Sequence, residues 1–133
     1  MQGLHLTADL RDCPAARATM TEPDALRALC VGAVRAAGLQ PVAELFHRFT
    51  PAPGAPTDAP VGVTGVVLLA ESHLAVHTWP ELAGVTLDVY VCNLGGDNSA
   101  RAHALLGTLI AAFEPGRIER HALERGVAME ESS

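Results

Sequence analysis

Val61-Gly62-Val63-Thr64-Gly65-Val66-Val67-Leu68-Leu69-Ala70-Glu71-Ser72-His73-Leu74-Ala75-Val76-His77-Thr78-Trp79 is the stretch on which the fold depends. Residues 61–70 are almost wholly apolar and rich in valine, the composition of a core strand. His73 to Trp79 forms a second strand, and only Glu71-Ser72 separates the two. A two-residue hairpin normally uses Asn-Gly, Asp-Gly or a leading glycine, because its primed turns need positive φ. Glu71-Ser72 supplies none of these, so the connection is either an ordinary bend or a strained turn of the kind found at functional sites.

Upstream, Leu4, Leu6, Ala8 and Leu10 alternate with His5, Thr7 and Asp9, which predicts a half-buried strand over 3–10. Residues 11–20 form a loop, and Thr21 caps a helix that has Pro23 and Asp24 in its first turn. Leu26, Leu29, Cys30, Ala33 and Val34 give that helix its apolar stripe, and Gly38 ends it. A strand follows over 39–49. Thr50 to Pro60 holds Pro51, Pro53, Pro56 and Pro60, which exclude a helix or central strand and predict an exposed loop. Downstream, Leu87, Val89 and Val91 alternate with Thr86, Asp88, Tyr90 and Cys92 on the opposite face of a strand. After Gly95-Gly96, Asp97 or Asn98 caps a second helix, which Pro115-Gly116 stops before a last strand over 117–123 and a frayed ten-residue tail. The order β-α-β-β-β-β-α-β predicts one α+β domain over 1–133, a mostly antiparallel sheet with helices on one face. Neither side of the 50–60 loop has enough strands to stand alone.

The composition narrows the chemistry. With 49% hydrophobic and 18% charged residues the chain can bury a core. No apolar run approaches the roughly 18 residues of a membrane span, and the N-terminus lacks a basic region followed by an apolar stretch, so the cytoplasm is the expected compartment. A net charge of −6 argues against a nucleic-acid surface. All nine basic residues are arginine. Without lysine there is no Walker-type phosphate loop, no pyridoxal-phosphate site and no lysine Schiff base. Carbonyl–amine chemistry would need the protein to carry the carbonyl.

Three site chemistries compete around Ser72. Zinc on His73, His77 and Cys92 is disfavoured, because two histidines four residues apart on a strand lie roughly 13 Å from each other. A hydrolase with Ser72 or Cys92 as nucleophile and His77 as base lacks the G-x-S-x-G elbow. In the third, the Ser72 hydroxyl attacks the Glu71 carbonyl, and the resulting ester eliminates to leave a pyruvoyl group on a new N-terminus. That supplies the missing carbonyl.

Glu71-Ser72-His73-Leu74-Ala75-Val76-His77-Thr78-Trp79-Pro80-Glu81, followed by Leu87-Asp88-Val89-Tyr90-Val91-Cys92, resembles the prokaryotic pyruvoyl-dependent S-adenosylmethionine decarboxylases. Phe46-His47-Arg48-Phe49 and His5-Leu6 share the likeness, which runs over about 3–113. The resemblance implies a two-layer α/β sandwich, a homodimer with its site near the interface, and cleavage between Glu71 and Ser72 into a β chain 1–71 and an α chain 72–133. It implies a pyruvoyl cofactor made from Ser72, with no metal and no pyridoxal phosphate, that decarboxylates through a Schiff base in spermidine synthesis. His77 would assist processing and Thr64, where the family usually has serine, would support it. Cys92 would donate the proton in decarboxylation, and Glu81, Phe49 and His5 would contact substrate. Leu82-Ala83-Gly84 stands where the family has a Tyr-Gly-Tyr-type segment, Asn93 replaces a glycine, and the 50–60 loop is longer. An ornithine or arginine decarboxylase, or a non-processing regulatory homologue, remains open.

Overall fold

The computed structural model describes residues 2–93 and 95–126. Six strands, β1 (Gly3–Arg11), β2 (Pro41–Arg48), β3 (Val63–Leu69), β4 (Ser72–Trp79), β5 (Gly84–Cys92) and β6 (Arg117–Arg125), join in the order β2-β3-β4-β5-β1-β6. Every neighbouring pair is antiparallel. Helices α1 (Ala18–Thr21), α2 (Pro23–Ala36) and α3 (Ser99–Phe113) complete the chain, with a 3-10 turn at Pro80–Leu82. Helix α2 packs over β2 and β3, and α3 over β1 and β5. The result is the α+β sandwich expected from the element order.

Period-two alternation decides which side chains meet the helices. Leu6, Ala8 and Leu10 of β1, Leu74 and Val76 of β4, and Leu87, Val89 and Val91 of β5 are buried beneath them. Among the described residues Thr78 is the single buried polar side chain. Its hydroxyl accepts the Val63 N–H at 2.9 Å and donates to the Met20 carbonyl at 2.8 Å, tying the end of β4 to β3 and α1. The alternate set, including His5, Asp88, Tyr90, His73, Ala75, His77 and Thr64, lies on the opposite face, which no helix covers among the described residues.

Four expectations shift. The hairpin turn between β3 and β4 is Ala70-Glu71, and Ser72 already pairs with Leu69. Thr21 belongs to α1, so Glu22 precedes α2 in an extended conformation with no side-chain cap. Pro23 at the first position sets that helix start instead. Strand β5 begins at Gly84, before Thr86, and β6 runs on to Arg125. Beyond Gly126 the expected frayed tail lies outside the described residues.

Candidate active site

The residues capable of chemistry gather at the two ends of β4. At its start, Glu71 has φ of +54°, the left-handed region that favours glycine or asparagine in a turn. Of the two connections the sequence left open, the strained turn is the one present, with its positive φ one residue ahead of the strand. Ser72 is half-buried, and its Oγ accepts the N–H of Cys92 at 3.0 Å. Cys92 is buried at the end of β5, and its carbonyl accepts from Asn98 Nδ2 at 3.0 Å. Asn93 Oδ1 in turn accepts the Asn98 N–H at 2.9 Å. The Cys92 backbone is thus held from both sides. Asn98 was expected only as a helix cap; the two asparagines flanking Gly95-Gly96 were the signal for such side-chain-to-backbone bonds. Asp97 Oδ1 accepts the Ser99 N–H at 2.9 Å, and that bond lowers its carboxyl below the ordinary value.

Beside this end, Tyr90 stacks on His73 with centroids 5.8 Å apart and meets His5 edge-on at 6.2 Å. Arg125 lies 3.3 Å from His5 Nδ1, and a guanidinium can only donate. Nδ1 therefore accepts, and Nε2–H donates to Asp88 at 3.2 Å. Asp88 faces the same side as Cys92, as the alternation predicts.

At the far end of β4, His77 pairs with Thr64 across the hairpin, and Thr64 Oγ1 lies 2.9 Å from His77 Nδ1. With the turn at Ala70-Glu71 in place of Glu71-Ser72, each partner across the hairpin moves by two residues, which sets Thr64 opposite His77. His77 stacks on Trp79 at 6.3 Å. Thr64, His77, Trp79, Glu81 and Phe49 line a cavity of about 400 Å³. His47 meets Phe49 edge-on at 5.0 Å and is exposed, as is His103.

Five residue steps along β4 carry the chain from Ser72 to His77, about 16 Å at 3.3 Å per residue. One chain therefore presents two half-sites, one with Ser72 and Cys92 and one with Thr64 and His77. His73 and His77 lie four steps apart, about 13 Å by the same spacing, and no group of three His, Cys, Asp or Glu among the described residues could hold a metal. No helix among them is long and apolar enough to cross a membrane.

A family model described as S-adenosylmethionine decarboxylase matches residues 4–126. The chain is 40% identical over 131 residues to the S-adenosylmethionine decarboxylase proenzyme of Aquifex aeolicus, covering 98% of this chain and 86% of that protein. It is 37% identical over 125 residues to the proenzyme of that name from a Sulfurihydrogenibium species, covering 94% and 83%. The crystal structure of the adenosylmethionine decarboxylase from Aquifex aeolicus superposes with a TM-score of 0.81 at 37% identity, over 98% of this chain and 96% of that one. The Trypanosoma brucei enzyme shares the fold at a TM-score of 0.51 and 12% identity, over 90% of this chain and 44% of that one.

Proposed function

The chain belongs to the S-adenosylmethionine decarboxylase family, and from that premise we propose that it is a proenzyme that cuts itself ahead of Ser72 and then decarboxylates S-adenosylmethionine on the route to spermidine. The observation that carries the proposal is the start of β4. A left-handed Glu71 precedes a serine whose oxygen is held by the Cys92 N–H.

In the proposed processing, Ser72 Oγ attacks the Glu71 carbonyl carbon. The peptide C–N bond breaks and residue 71 becomes an ester on that oxygen. A left-handed non-glycine residue costs roughly 1–2 kcal/mol, and opening the turn releases that strain. Removal of the Ser72 Cα proton then expels the Glu71 carboxylate and leaves dehydroalanine. Water displaces its nitrogen as ammonia, which yields a pyruvoyl group at the head of 72–133 and a second fragment, 1–71. His77 is the base for that proton, with its ring oriented by Thr64.

A pyruvoyl group supplies a ketone for a substrate amine and a conjugated carbonyl that draws off the electrons left when CO₂ departs. The residues present suit it: the sequence has no lysine to compete for the ketone. The Cys92 thiol, at the same strand end as Ser72, donates the proton to carbon. Glu81, Phe49 and His5 contact the substrate.

The 16 Å between Ser72 and His77 calls for a second copy of the chain. We infer a homodimer in which the helix-free faces meet about a twofold axis near Ala75, the small residue midway along β4. Facing sheets sit about 10 Å apart, which sets the Ser72 end of one chain's β4 over the end that carries the partner's His77. Leu45, Leu68 and Trp79 are 69%, 46% and 43% exposed on that face and would be covered.

Intact mass tests both steps. Purified protein should separate into 1–71 and 72–133, and Ser72→Ala should stay whole. A mixture of Ser72→Ala and His77→Ala chains should cleave the His77→Ala chain, since only the mixed dimer joins the two half-sites. An uncleaved mixture overturns the shared site, and an uncleaved parent chain overturns the self-cleavage itself.

A further inference from the structure

The sheet ends in two unlike edges, β2 and β6. β2 is guarded: Pro41 removes a donor at its start, and a bulge between Pro41 and Ala43 breaks its register. β6 carries neither device. Its nine residues pair with β1 without a register break, and every one of them is exposed. Among the described residues nothing pairs with its outer side. A long, regular, unguarded edge is a template for another strand.

Charge says which strand fits. The chain carries a net charge of −6, so its copies repel at long range. Yet Arg117, Arg120 and Arg125, three of its nine arginines, lie in β6, interspersed with Glu119 and Glu124. Laid antiparallel against a copy of itself with Ala122 on the twofold axis, β6 sets Glu119 opposite the partner's Arg125 and Arg120 opposite the partner's Glu124. Directly opposite residues share a face with Cβ atoms about 5 Å apart, and opposite charges there attract. Symmetry repeats each pair, and Ala122 meets the partner's Ala122 at the centre. The neighbouring registers are worse. Centring on His121 opposes Arg117 to the partner's Arg125, and centring on Leu123 leaves Glu124 opposite the partner's Ala122.

We propose that β6 is a self-pairing edge, through which two facing dimers of this chain join into a tetramer. The proposal goes beyond the decarboxylase reading but rests on its facing dimer. Ala75, Asp88, Thr7 and His121 form one row across β4, β5, β1 and β6. A twofold along that row turns the Ser72 end of β4 over the end that carries the partner's His77, and it lays one β6 over the other. The dimer therefore offers both β6 edges on one side. The row reaches β6 one residue from Ala122, so the edge twofold crosses the facing twofold there and the assembly closes at four chains. A lone two-strand junction is marginal. Two formed together hold by effective concentration, and a chain unable to form the facing dimer stays single.

Light scattering on the purified chain reads the outcome. The parent should elute as a tetramer at low salt and fall to half that mass at high salt, where exposed ion pairs are screened. Glu124→Arg opposes arginine to the partner's Arg120, and Arg120→Glu opposes glutamate to the partner's Glu124; each variant should elute as a dimer. The double swap, Arg120→Glu with Glu124→Arg, should restore the tetramer. Mixing the two single variants should restore it as well, because each dimer then meets an edge of opposite sign without exchanging chains. Both positions are exposed, and circular dichroism checks the fold; the parent's salt response needs no variant at all. A parent that stays dimeric at low salt, or a tetramer that neither salt nor charge reversal divides, overturns the proposal. Self-cleavage by intact mass should match between parent and variants, since the shared site lies within the facing dimer. An uncleaved parent counts against the decarboxylase reading and is scored apart from the edge.

Discussion

Glu71 is the residue at which strand pairing and backbone sterics conflict. The apolar pattern of 61–70 and the alternation after it leave two positions for a turn, and neither residue prefers positive φ. The sequence left an ordinary bend and a strained turn both open and put the connection one residue late, because neither glutamate nor serine marks a turn position and Ser72 fits a strand equally well. In a Ser72→Ala background, Glu71→Gly should raise stability by roughly 0.5–1 kcal/mol in urea unfolding, since glycine adopts this φ without a clash and gives back part of the gain in chain entropy. With Ser72 intact, the same change should slow cleavage followed by gel. Thr64→Val keeps the shape but loses the bond to His77 Nδ1. Cleavage should slow at least roughly tenfold, a loss comparable to one hydrogen bond to the ring, and Thr64→Ser should restore it. Asn93 and Asn98 beside Gly95-Gly96 signalled side-chain-to-backbone bonds, but that Cys92 would be the partner depends on how the glycine turn folds back, which local pattern does not encode.

Elements were legible where burial imposes a period. Leu87, Val89 and Val91 lie buried as their alternation requires, and Gly38 ends α2 with φ of +84°. Boundaries were less so, because Thr21 offers a capping hydroxyl while its backbone is already engaged in α1. Gly65 of β3 gave no signal, yet a Cβ there would lie 2.1 Å from the Phe46 ring of β2. Gly65→Ala should cost about 1–3 kcal/mol by overpacking, and Phe46→Leu in the same chain should recover part of it; urea midpoints of the three variants decide. In α2, burial pushes the Cys30 thiol up to about 12. A raised value keeps the thiol protonated in the fold, and the stability this represents is lost as pH climbs from the ordinary thiol range toward 12. At pH 8, iodoacetamide should leave Cys30 unmodified in native protein and label it in urea, as peptide mass mapping would reveal.

At the scale of the whole molecule the helix-free face governs behaviour. Ala75→Arg places a long cation at the proposed twofold axis. The variant should elute as a monomer by light scattering, retain its circular dichroism and remain uncleaved. A dimeric, cleaved Ala75→Arg protein would move the interface elsewhere.

The strand order has one more consequence. β1 belongs to 1–71, while β5 and β6, its neighbours on either side, belong to 72–133. A nick before Ser72 thus yields two polypeptides woven through one another, and neither can leave without melting the sheet. Once melted and diluted, they must find each other again by second-order collision, and the hairpin that first aligned β3 with β4 no longer exists. Maturation would make folding a journey in one direction, with the finished enzyme persisting through slow unweaving and unable to rebuild itself.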